Sequence, residues 1–102
     1  MIAVMPITSV LHLKLKGDDL EQAYAVVHAT LDDSRAFPGC EGLDVFVNAD
    51  DPTHLIVLER WESEEDDVAY HEWRQTPQGV SDLGRFLDGP SSISRVSFAA
   101  DI

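Results

Sequence analysis

The sequence has a single cysteine, Cys40, and only seven Lys and Arg residues against nineteen Asp and Glu. A lone thiol allows no internal disulfide and suits a reducing compartment, so a soluble cytoplasmic protein is expected. The net charge of −12 opposes both the nucleic-acid backbone and anionic lipid headgroups, which argues against either as a partner. No apolar run approaches a membrane span. Residues 1–6 carry neither basic groups nor a long apolar stretch, so no signal peptide is expected. No glycine-rich phosphate loop follows a strand, and no spaced set of His, Cys, Asp and Glu resembles a zinc or non-heme iron site. Neither a cofactor nor a metal ion is expected.

What is present suits one globular domain spanning residues 1–102, with 44% apolar and 25% charged residues. A domain of this size hides only about 60–70% of the surface its unfolded chain exposes, so a partner that lends core would stabilise it. The central stretch is Leu55-Ile56-Val57-Leu58, an unbroken apolar run that reads as a strand covered on both faces. Trp61 closes that strand. Ser63 with Asp66 then forms a capping box, and the acidic run from Glu64 places negative charge in the first helical turn.

Residues 7–15 alternate, with Ser9, Leu11, Leu13 and Leu15 on one side and Val10, His12 and Lys14 on the other. Gly17 breaks the strand, and Asp18 with Glu21 offers a cap for a helix carrying Leu20, Ala23, Tyr24, Val27 and Leu31. A second strand alternates through Leu43, Val45 and Val47, and residues 48–52 supply the turn of a hairpin. After the helix bearing Val68, Ala69, Tyr70 and Trp73, the pair Thr76-Pro77 predicts a new short helix with Val80, Leu83, Phe86 and Leu87 on one stripe. Gly89-Pro90 ends it, and residues 93–98 read as a last strand.

This order is the split β-α-β pattern of a ferredoxin-like α+β fold with a four-stranded antiparallel sheet. A right-handed crossover from the first strand to the second leaves a gap for the third, which becomes central. All helices then lie on one face of the sheet. Phe46, Ile56 and Leu58 leave the other face apolar, so the expected assembly is a homodimer that pairs two sheets into an α/β barrel.

Three segments carry a family resemblance: residues 37–42, Phe-Pro-Gly-Cys-Glu-Gly; residues 50–52, Asp-Asp-Pro; and residues 58–63, Leu-Glu-Arg-Trp-Glu-Ser. With Tyr70-His71-Glu72-Trp73-Arg74 in the following helix, the chain resembles the antibiotic biosynthesis monooxygenase domain family, in a form seen in many small bacterial members. The resemblance implies a dimeric α/β barrel. It also implies oxidation of a phenol, hydroquinone or anthrone-like aromatic by molecular oxygen without flavin or metal. Trp61 matches a strand-end tryptophan that lines the cavity in some members, whereas their cavity asparagine has no counterpart in residues 55–58. A heme-degrading branch pairs its tryptophan with an early asparagine and a later histidine. This chain has Thr8 and Ser9 in the first strand and no histidine after His71.

The candidate catalytic residues are therefore His71 and Trp61. His71 is suited to take a proton near neutral pH. Tyr70, Trp73, Arg74 and Arg85 are candidates for substrate binding, the aromatics as walls and the arginines as anion partners. Each has a plainer role as well: Trp61, Tyr70 and Trp73 as core, His71 as a solvated side chain, and the arginines as neighbours of Glu72 or Asp88. The alternative function is a non-catalytic ligand-binding or protective dimer of the same fold, with heme degradation behind it.

Overall fold

In the computed structural model, which describes residues 6–99 together with 101 and 102, the elements follow the order β-α-β-β-α-β with one short 3-10 helix. The strands are β1 (Ile7–Lys14), β2 (Cys40–Asn48), β3 (Asp51–Trp61) and β4 (Ser92–Val96), and the helices are α1 (Leu20–Ala36) and α2 (Glu64–Trp73). The sheet order is β2-β3-β1-β4, with β1 antiparallel to both β3 and β4 and β3 antiparallel to β2. This is the expected ferredoxin-like α+β fold, and β3 is central. The reading of residues 1–5 lies outside the described residues.

The alternation in β1 and β3 sorts their side chains as the sequence predicts. Leu13, Leu15, Leu55 and Val57 are buried toward the helices, where Ala23, Val27 and Leu31 of α1 meet them, and Trp61 is buried against Phe37 and Tyr70. Ile56 and Leu58 point to the opposite face with Val10 and Phe46, and Phe46 remains 52% exposed. β3 is thus covered by helices on one side only within the protomer. The β2–β3 hairpin closes tightly, with Asn48 paired to Asp51 and the Asp50 N–H bound to the Asn48 side chain. Lys14 and Thr53 hold the Asp51 carboxyl well below the usual carboxylate range, pinning the end of β1 to the start of β3.

Ser63 caps α2 as the sequence predicts: its hydroxyl accepts from the Asp66 N–H at 3.2 Å and donates to the Asp66 carboxylate at 3.0 Å. The cap packs on Gly39, whose φ of 89° and contact with the Asp66 side chain leave no room for a Cβ. Two start points differ from expectation. The α1 cap is Asp19, which accepts from the Gln22 N–H, and Asp18 lies before it. Thr76-Pro77 begins only a turn, in which the Gly79 N–H returns to Thr76 and the Trp73 carbonyl leaves no room for a Cβ on Gly79. The short helix starts later, over Asp82–Phe86, with Ser81 as its cap.

Candidate active site

A cavity of about 340 Å³ lies between the helix-facing side of the sheet and the helices. Leu11, Leu13 and Val57 form its floor and Leu31, Leu83 and Leu87 its sides. Glu59, Tyr70, His71 and Arg74 are among its polar lining residues. The spacing explains the arrangement. Glu59 shares the helix-facing side of β3 with Leu55, Val57 and Trp61, while Asp67, His71 and Arg74 follow at helical intervals of four and three.

Glu59 is 1% exposed and Asp67 is fully buried. His71 Nε2 sits 3.0 Å from Asp67 Oδ1 and 3.5 Å from Glu59 Oε1. The second Asp67 oxygen is anchored, accepting from the Ser9 hydroxyl at 2.6 Å and from Arg95 Nε at 2.5 Å. Both Glu59 oxygens, Asp67 Oδ1 and His71 Nε2 are buried without an aligned hydrogen-bond partner. The imidazole is therefore bracketed by two carboxylates, and Arg95 is the cation hydrogen-bonded to one of them.

Tyr70 and Arg74 form a second polar unit. The Tyr70 hydroxyl lies 2.5 Å from Ser34 Oγ and accepts from Arg74 Nε at 2.7 Å. The remaining Arg74 nitrogens donate to the Thr30 and Gly79 carbonyls and to Ser34. Burial raises the Tyr70 phenol above its usual value, against the opposing pull of Ser34 and Arg74, so the ring stays neutral at physiological pH.

Of the six sequence candidates, His71, Tyr70 and Arg74 line this cavity together. His71 is half-buried, packing on Asp67 and the Tyr70 ring. The Arg74 guanidinium is bound to protein acceptors, and its nearest carboxylate among the ion pairs is Asp33 at 3.9 Å. Trp61 is fully buried behind Tyr70, with ring centroids 5.0 Å apart, and Trp73 stacks near Phe37 and Arg74; neither lines the cavity. Arg85 lies elsewhere, over the Phe86 ring on the short helix.

The pattern missed Glu59, Asp67, Ser9 and Arg95. A signal for the first was present, since Glu59 is a charge on the face that otherwise carries Leu55, Val57 and Trp61. Linear spacing hid the cluster of Glu59, Asp67 and His71 because one member comes from a strand and two from a helix. Asp67, grouped by sequence with the solvated helix start, turns inward instead. A wider groove of about 420 Å³ runs between α1 and β2 and gathers none of the six candidates.

Fold and site together define a small ferredoxin-like domain with a cavity between sheet and helices. The antibiotic biosynthesis monooxygenase family model matches residues 6–78, and the chain belongs to that family. Solved structures agree on the fold. A Nitrosomonas europaea protein superposes with a TM-score of 0.79 at 16% identity, covering 99% of this chain and 97% of its own. A Pseudomonas aeruginosa protein gives 0.75 at 18% identity, with 98% and 100% covered. One from Mycobacterium tuberculosis gives 0.72 at 22% identity, with 94% and 97% covered. A search of curated proteins finds no significant match.

Proposed function

We propose that the protein is a cofactor-independent monooxygenase that oxidises a small phenol, hydroquinone or anthrone-like aromatic with molecular oxygen, working as a homodimer. The observation that carries this is His71 in the lining of the cavity between sheet and helices, its Nε2 3.0 Å from a buried carboxylate. In this account His71 takes the phenolic or benzylic proton, and Asp67 and Glu59 stabilise the imidazolium that forms. The substrate anion gives one electron to oxygen, and the ring radical and superoxide recombine to form a C–O bond. The O–O bond then breaks: one oxygen remains as the new carbonyl, and the other leaves as water with the two hydrogens the substrate has lost. The apolar walls hold the ring and keep bulk water away. The neutral Tyr70 ring supplies a flat surface.

Oxygen consumption by chelator-treated, flavin-free protein over a panel of phenols, hydroquinones and anthrones tests this. The expected result is uptake above the buffer rate, with one oxygen consumed per quinone formed. Uptake no faster than buffer across the panel would favour the non-catalytic binding protein instead.

A further inference from the structure

We propose that Glu59, Asp67 and His71 form a binding site for one first-row divalent cation. The ligand atoms of the three side chains all lie within 4.8 Å of one another. Metal–ligand bonds of about 2.1 Å place ligand atoms about 3.0 Å apart at a right angle and about 3.4 Å apart at the tetrahedral angle. The separations of His71 Nε2 from Asp67 Oδ1 and from Glu59 Oε1 are 3.0 and 3.5 Å.

The unmet valences point the same way. Glu59 is 1% exposed, and neither of its oxygens has a hydrogen-bond partner. Asp67 is anchored through one oxygen by Ser9 and Arg95, which leaves the other presented toward His71. Such outer contacts fix the orientation of a ligating carboxylate. With the imidazole neutral, Glu59 and Asp67 carry two negative charges against the single positive charge of Arg95. A divalent ion removes the deficit and satisfies the free oxygens together. One imidazole nitrogen with carboxylate oxygens, and no thiolate in the set, suits Zn²⁺, Mn²⁺ or Fe²⁺ over soft monovalent copper.

The cation would occupy the Nε2 lone pair and draw electron density from the ring, so occupancy is expected to oppose proton removal by His71. The site itself rests on geometry and does not depend on the oxygenase account. Its test needs no substrate.

Calorimetric titration of chelator-treated protein with zinc chloride, and separately with manganese chloride, is expected to give one ion bound per chain and a raised melting temperature. Glu59→Gln keeps the side-chain shape and removes one ligand charge. It should weaken binding at least tenfold, yet melt higher than wild type without metal, because a buried unpaired charge is gone. His71→Ala provides a second ligand deletion and should weaken binding similarly. His54→Ala breaks the other close imidazole pair, His12 with His54 at 3.0 Å, and should bind as wild type does. No binding heat, undiminished binding by Glu59→Gln, or loss of binding in His54→Ala alone would overturn the proposal. Metal binding without oxygen uptake, or uptake without metal binding, would separate this site from the oxygenase account.

Discussion

Arg74 Nε donates to the Tyr70 hydroxyl at 2.7 Å, one helical turn earlier on α2. The same guanidinium reaches across to the Thr30 carbonyl of α1 and to the Gly79 carbonyl after α2. It joins two helices and the following turn, which leaves few donors for a bound anion.

Arg74→Lys should therefore act on stability, because an ammonium cannot reproduce a fork of donors aimed in three directions. A loss of about 2–3 kcal/mol is expected for hydrogen bonds made by a charged group. Urea unfolding measures it. An unchanged midpoint with a raised KM would instead make Arg74 an anion receptor.

Tyr70→Phe leaves Arg74 Nε and Ser34 Oγ short of a partner, at a cost of about 1–3 kcal/mol near neutral pH. The pH dependence has a definite sign. Burial raises the Tyr70 phenol in the folded protein, so its stabilisation is complete below the unfolded value of about 10 and is lost as pH rises through the folded value. Urea unfolding at about pH 8 and about pH 11 should show the gap between wild type and Tyr70→Phe shrinking at the higher pH. A gap that widened would contradict the burial argument.

Trp61 is fully buried against Phe37 and Tyr70. Trp61→Ala is expected to cost about 3–5 kcal/mol through the cavity it leaves. Thermal melting checks this. A stable Trp61→Ala protein with lost turnover would make the residue a substrate wall after all.

The exposed sheet face carries Val10, Phe46, Ile56 and Leu58. Light scattering should give twice the protomer mass for wild type. Leu58→Lys, placing a charge in the middle of that face, should shift it toward the single chain. A monodisperse wild-type monomer would remove the homodimer from the account.

Strand and helix periodicity made the architecture legible, because the two faces of β1 differ plainly, Leu13 inward and His12 outward, and the unbroken apolar run of β3 marked it as central. Local start points were less so. Asp18 and Asp19 are adjacent acids, and only backbone geometry decides which of them caps. The site was half legible. Tyr70, His71 and Arg74 were visible as one helix segment, whereas Asp67 looked like one more charge in an acidic helix start. Its inward turn depends on Ser9 and Arg95, which are remote in sequence and are brought to it by β1 and β4.

The most direct measurement of the central claim is the rate of oxygen uptake by metal-free, flavin-free protein on its best substrate, wild type against His71→Ala. Loss of a positioned general base is worth about 10²–10⁴-fold. The account predicts a fall of at least about 10²-fold, with partial recovery on adding free imidazole. A His71→Ala enzyme as fast as wild type would contradict the assignment of His71 as the base.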